Sequence, residues 1–176
     1  MKTVTFFFFF SVFLSSCTKV DELTKFHLKY SESTTIPAML NINLPFDIYT
    51  PNIETNIDQE LEIRNSHKDR VEGIHIEELE LSITNPSNAT FDFLKSIEVT
   101  LSVDGLTDIV IAHKENIKDN VGSSISLEVN NVELKNYILS DIVKLKIKVV
   151  TDKITTQKYD IDVYTDFFVD AKILGV

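Results

Sequence analysis

Apolar and polar residues alternate at every second position through most of this chain, and this period constrains the fold more than any other feature. The pattern is clearest at 159–171, where apolar or small residues are separated mainly by aspartates. It recurs at 97–103, and at 144–149 with lysines as the polar partners. A period of two is that of a β-strand with one buried face and one solvent-facing face.

The number and type of these segments indicate the fold class. Eight to ten such segments follow one another without repeated helices between them, and most alternate rather than forming continuous apolar runs. Parallel sheets need crossover helices and are buried on both faces, so the pattern favours antiparallel pairing. We therefore predict an all-β fold, an antiparallel β-sandwich of Ig-like or jelly-roll-like type with one or two short helices, one of them at 132–139.

The same pattern predicts individual strands and turns. Apolar residues at every second position predict strands at 26–30, at 40–44 and at 53–63, and the polar residues 64–73 predict a loop with one helical turn. The phase of the next strand slips between Ile76 and Leu79, which predicts a β-bulge. Turns are expected at 85–88 and at Asp104-Gly105. The last two strands are expected to pair as a hairpin through 152–157, with lysines facing aspartates.

The N-terminus has the order of a secretory signal peptide. Lys2 precedes an apolar run over 4–14, and the small residues Ser15 and Ser16 follow it. A basic start, a short apolar stretch and a small-residue cleavage site define such signals, and the apolar stretch is too short to span a bilayer. We predict that residues 1–16 form a signal peptide.

Leu14-Ser15-Ser16-Cys17 resembles the lipobox of bacterial lipoproteins, here of Bacteroidota type given the Asn/Lys/Ile-rich composition. The resemblance implies cleavage before Cys17, a diacylglyceryl group on its sulfur and acylation of the new N-terminus. It also implies a cell-envelope location, lipid-anchored in the outer membrane and either periplasmic or surface-exposed. Residues 17–25 are then the lipidated cysteine and a polar tether, and residues 26–176 form a single domain.

Charge and cysteine content limit the expected partners. The net charge of −10 disfavours nucleic-acid binding, because an acidic surface repels phosphate. Cys17 is the sole cysteine, so the chain has neither an internal disulfide nor a thiolate zinc cluster. The expected partners are the membrane, through the lipid anchor, and a protein or glycan. No cofactor and no metal are expected.

Candidate chemistry is sparse. The four histidines (His27, His67, His75 and His113) have no metal-ligand spacing, and no serine elbow or glycine-rich phosphate loop occurs. Acids cluster at 77–80 and recur at every second position of 160–170, but acids along a strand spread by about 7 Å per step. The expected function is a non-enzymatic binding or structural module without catalytic residues. The alternatives are a glycan hydrolase with paired carboxylates and a calcium-dependent adhesion domain.

An aromatic cluster follows the turn at 85–88. Phe91, Phe93 and Leu94 are expected to close one end of the core rather than to form an exposed binding edge. The surrounding segment 79–93, a strand followed by Asn85-Pro86, resembles the β-sandwich domains of the water-stress (LEA type 2) family. The resemblance implies a β-sandwich and no specific function.

Overall fold

The structure is a computed structural model that describes residues 25–172. The predicted signal peptide, Cys17 and the tether up to residue 24 lie outside the described residues, as do residues 173–176. Lipidation of Cys17 therefore stays a prediction. Within residues 25–172, no helix is both long and apolar enough to cross a membrane.

The described part of the chain contains ten strands, two short helices and one 3-10 turn. The strands are β1 (Lys25–Ile36), β2 (Pro45–Tyr49), β3 (Ile53–Glu54), β4 (Val71–Asn85), β5 (Leu94–Ser102), β6 (Ile109–Lys114), β7 (Ser124–Ser126), β8 (Glu128–Val129), β9 (Ile142–Thr151) and β10 (Tyr159–Ala171). The helices are α1 (Ile57–Ile63) and α2 (Lys135–Ile138), and the 3-10 turn is Lys68–Arg70.

Two antiparallel sheets face each other across one core. The four-stranded sheet has the order β1-β10-β4-β7, and the six-stranded sheet has the order β2-β9-β5-β6-β8, with β3 beside β9. Every described strand pair is antiparallel. The predicted all-β antiparallel sandwich with one or two short helices is confirmed.

The apolar residues of the alternating pattern lie in the core, and the polar residues between them lie on the surface. On β9, Leu145, Ile147 and Val149 are buried against the facing sheet, while the intervening lysines point outward. On β10, Val163 and Phe167 occupy the same core from the other side. Burying these apolar side chains stabilises the fold by about 25 cal/mol per Å² removed from water.

The predicted bulge lies at Glu77. β10 residues Asp166 and Phe167 pair with Glu78 and Ile76 of β4, so Glu77 is the extra residue. This insertion returns Ile76 and Leu79 to the same buried side of the strand. The phase slip in the sequence is thus explained and the bulge is confirmed.

The turns and the aromatic cluster also agree with the sequence. β4 ends at Asn85 before the predicted turn. Gly105 has a φ of +83° between β5 and β6, a conformation that favours glycine. Phe91, Phe93 and Leu94 are buried in the core rather than forming an exposed edge.

The predicted hairpin between the last two strands is wrong. β9 lies between β2 and β5 in the six-stranded sheet, whereas β10 lies between β1 and β4 in the other. Each strand has its own buried apolar row, and placing them in opposite sheets lets the two rows face each other across the core. The charges therefore find other partners: Lys148 pairs with Glu98 on β5, and Ser33 on β1 donates a hydrogen bond of 2.6 Å to Asp162.

Two predicted strands are also corrected. Residues 40–44 lie in the loop before β2 with their apolar side chains exposed. In the predicted strand 53–63, only Ile53 and Glu54 are extended, and α1 follows. Ile57 and Leu61, four residues apart, form the buried stripe of this helix. The predicted single helical turn in 64–73 corresponds to Lys68–Arg70.

Replacing Thr165 by valine should stabilise the fold. Among the described side chains, the Thr165 hydroxyl is buried and has no hydrogen-bond partner. Valine removes this desolvated hydroxyl at nearly equal volume, so we expect a gain of about 1 kcal/mol. The control is Thr55→Val, because buried Thr55 donates a hydrogen bond of 2.8 Å to the Ser140 carbonyl. Chemical denaturation should show opposite signs for the two variants, and equal destabilisation would contradict the assignment.

Candidate functional site

The exposed large hydrophobic side chains concentrate at the two ends of the sandwich. We call the end where β1 begins the near end, because the chain from Cys17 enters there, and the opposite end the far end. Eight such side chains are exposed among residues 25–172. The far end carries Leu40, Ile42, Leu44 and Ile154; the near end carries Ile63, Leu106 and Ile142; Tyr49 lies on the outer side of β2, with the Lys144 ammonium 5.1 Å from its ring centre.

The four far-end side chains form what we call the far-end patch: Leu40, Ile42, Leu44 and Ile154. Leu40 is 75% exposed and Ile154 is 60% exposed. Two loops meet here through backbone hydrogen bonds, with Met39 N–H to Thr155 O at 3.0 Å and Thr155 N–H to Met39 O at 2.9 Å. Leu40 follows Met39 and Ile154 precedes Thr155, so this antiparallel bridge places Leu40 and Ile154 opposite each other.

Further contacts hold the loop that carries the patch. The Asn43 N–H donates to the Thr151 carbonyl at 2.7 Å, and the Lys95 ammonium donates to the Asn43 side-chain oxygen at 2.8 Å. Pro37 and Pro45 border the loop on either side. The patch is therefore presented by a loop fixed at several points rather than by a loose segment.

A shallow depression of about 330 Å³ adjoins the patch and includes Ile154 in its lining. Its floor contains Phe93, which stacks on Tyr159 with ring centres 4.4 Å apart. Asp92 at its rim accepts hydrogen bonds from the backbone N–H groups of Asn120 (2.8 Å) and Val121 (3.2 Å). Partial desolvation raises the pKa of Asp92, but hydrogen bonds from Thr90 and from these N–H groups outweigh it, so the pKa is lowered. The depression beside the apolar patch is thus lined by a carboxyl group whose ionised form is favoured.

Two of the four histidines come together on the outer face of the four-stranded sheet. His27 and His75 flank Phe168, with ring centres 5.8 and 4.9 Å from it. The bulge residue Glu77 lies between them, 3.8 Å from His27 Nδ1 and 3.9 Å from His75 Nε2. His27 Nδ1 also lies 2.8 Å from buried Asp166. Across residues 25–172, no group of three or more His, Cys, Asp or Glu side chains is placed to hold a metal ion.

The aspartates of β10 do not converge on one point. Three of them are engaged by neighbouring polar groups: Asp160 by Asn85, Thr35 and Lys158, Asp162 by Ser33, and Asp166 by His27 and Lys29. The hydrogen bonds to Asp160, that of Asn85 first, lower its pKa. These contacts hold β10 to its neighbours, and calcium coordination needs oxygens that converge.

The carboxyl groups with clearly shifted pKa values do not match a glycosidase. The pKa of Asp108 is lowered by hydrogen bonds from Ser102 and Lys146, and those of Asp92 and Asp160 are lowered too. A general acid for glycoside cleavage needs a carboxyl with a raised pKa. These three carboxyls are therefore unsuited to that role.

Sequence reasoning missed the far-end patch because the alternation at 40–44 is also that of a strand. Proline at positions 37 and 45 was the available signal, since proline lacks the N–H that a central strand needs. Ile154, a lone apolar residue in the polar stretch 152–157, was a second signal. Together, the two prolines and the isolated Ile154 indicate that these apolar side chains lie in loops.

Comparisons with known proteins assign no family. No family model matches the chain, and no curated protein matches it. Among solved structures, the decameric BFDV capsid protein is similar with 8% identity and a TM-score of 0.43, over 84% of this chain and 98% of that one. The empty head of turnip yellow mosaic virus is similar with 10% identity and a TM-score of 0.28, over 99% of this chain and 92% of that one. At such TM-scores the likeness carries no argument about function.

Proposed function

We propose that this chain is a non-enzymatic binding module of a bacterial cell envelope, anchored in the outer membrane through lipid on Cys17. Its partner is a protein, which it binds through the far-end patch. One observation carries the proposal: exposed aliphatic side chains cluster at the end of the sandwich opposite the point where the chain from Cys17 enters.

The dimensions keep the patch away from the membrane. The eight residue steps from Cys17 to Lys25 span at most about 28 Å when fully extended. The twelve residues of β1 extend over about 37 Å towards the far end. A tether of this length is too short for the domain to invert and rest its far end on the bilayer. The patch therefore faces away from the lipid.

The chemistry of the patch favours a protein over a glycan. All four side chains are aliphatic, whereas sugar rings are commonly held against aromatic faces. Contiguous exposed apolar patches with polar rims mark protein or membrane interaction sites, and the tether length argues against the membrane here. The loop is already held by Thr151, Thr155 and Lys95, so little conformational entropy is lost when a partner binds.

A cross-linking experiment in the native envelope tests this function. A photo-reactive amino acid at Ile154 should give one discrete protein adduct, identified by mass spectrometry. Adding Ile42→Asp should reduce this adduct about tenfold or more, because it places a charge in the apolar contact. Tyr49→Asp introduces the same charge at an exposed position that belongs neither to the far-end patch nor to the near-end residues, and it should leave the adduct unchanged.

Two outcomes of this cross-linking experiment would contradict the proposed function. An adduct at Ile154 that survives Ile42→Asp, or that is lost equally with Tyr49→Asp, would mean that the far-end patch is not the binding surface. Exclusively lipid adducts at Ile154 would contradict the proposed orientation.

A further inference from the structure

We propose that the near end of the sandwich rests on the lipid surface, with Ile63, Leu106 and Ile142 in contact with zwitterionic phospholipid. This inference rests on the lipid anchor of the proposed function. It adds a second contact with the membrane, made by the folded domain itself.

The three side chains come from separate elements that meet at one end. Ile63 ends α1, Leu106 lies in the β5–β6 turn and Ile142 begins β9, and they are 66%, 40% and 50% exposed. Ile142 begins β9, which lies between β3, the strand before α1, and β5, the strand before the turn. Ile142 lines one open depression of about 360 Å³ with α1 residues and another of about 390 Å³ with Asp104 of the β5–β6 turn.

Contacts beneath these residues fix their positions. The Tyr137 hydroxyl of α2 donates a hydrogen bond of 2.7 Å to the Thr107 carbonyl, which holds the turn that carries Leu106. The Arg64 guanidinium lies 4.2 Å from the ring centre of Phe26, which attaches the end of α1 to the first strand. These contacts hold α1 and the β5–β6 turn in fixed positions at the near end.

The charges at this end are only partly neutralised. Lys68 bridges Asp58 at 2.9 Å and Asp141 at 3.1 Å, and both aspartates line the depression shared with Ile142. Acids still outnumber bases here, since Glu54 and Asp104 also line the two depressions and Lys144 is the one base in their linings. An acidic rim repels anionic headgroups, so the geometry fits a zwitterionic lipid surface.

The position of Cys17 in the chain supplies the reason for lipid as the occupant. β1 starts at the near end, only eight residue steps after Cys17. An acyl anchor at that point holds the near end beside the bilayer at a high effective concentration. Under that condition three aliphatic side chains suffice for contact with the lipid interface, although they are too few to bind a free domain.

The sole cysteine permits a direct test in the full-length chain. Because lipid on Cys17 blocks its thiol, Ile142→Cys or Ile63→Cys provides a single site for an environment-sensitive fluorophore. Ile154→Cys at the far end is the matched control. The anchored proteins are reconstituted in phosphatidylcholine–phosphatidylethanolamine vesicles, and quenching by lipid-borne nitroxide is compared with quenching by aqueous iodide.

The expected result is strong nitroxide quenching and at least several-fold weaker iodide quenching at the near-end positions than at Ile154→Cys. Near-end labels on an anchored protein that remain as open to iodide as the control would overturn this inference and leave the anchor intact. A soluble chain whose Cys17 itself takes the label would overturn the anchor, and this inference with it. The two failures are therefore distinguishable.

Discussion

Phe167→Ala should lower the free energy of unfolding by about 3–5 kcal/mol, the range measured for phenylalanine-to-alanine changes in tightly packed cores. Phe167 is 1% exposed on the central strand β10. It pairs in register with Leu28 on one side and Ile76 on the other, and its ring lies 5.9 Å from that of Tyr30. Alanine would leave a cavity between the two sheets that the rigid β10 neighbours cannot fill.

The next residue provides the matched control. Phe168 points to the outer face, half-buried between His27 and His75. Phe168→Ala should cost about 1–3 kcal/mol, because the ring is only half-buried and loses its two ring contacts along with that area. The chain has no tryptophan, so urea denaturation followed by circular dichroism is the suitable measurement. Similar losses for both variants would mean that the inward and outward faces of β10 are misassigned.

Cys17→Ala should abolish lipidation and leave the precursor uncleaved before residue 17. If the sulfur carries the diacylglyceryl group, alanine removes both the site of lipidation and the cleavage that depends on it. Stable anchoring requires two or more acyl chains, so a variant without any lipid should shift from lipid-anchored to unlipidated precursor. Mass spectrometry of the native protein should show loss of residues 1–16 and acyl mass on Cys17.

Thr24→Ala, in the tether, is the control, and it should retain full lipidation. Recovery of the native protein with Met1 and a free Cys17 thiol would refute the anchor. It would also remove the geometric argument that directs the far-end patch away from the membrane.

Period-two alternation was sufficient for the fold class and for the buried face of the long strands. Even the bulge at Glu77 was visible as a phase slip between Ile76 and Leu79. These features are local, since each depends on residues close together in sequence. The strand order is not local. Nothing in the lysines of β9 or the aspartates of β10 showed that the two strands belong to different sheets, because each row is also suited to a solvated outer face.

The candidate site was less predictable than the fold. Ile57 and Leu61 are four residues apart, a spacing that fits one face of a strand or of a helix. In the structure they are the buried residues of a helix. Leu40 and Ile42 alternate as a strand would, yet they are exposed because their loop pairs by backbone bonds with 151–155. An exposed apolar surface built from loops is an exception to the rule that apolar residues lie inside, and predictions from sequence patterns assume that rule.

The pairing of the first strand with the last has a consequence for when the domain can fold. β1 pairs with β10 along all twelve of its residues, from Lys25 with Asp170 to Ile36 with Tyr159. β10 also lies between β1 and β4, so the four-stranded sheet cannot form until the last residues are available. Such long-range closure slows folding. A chain with this connectivity cannot complete its four-stranded sheet before β10 has been synthesised, so β1 waits without its only described sheet neighbour until then.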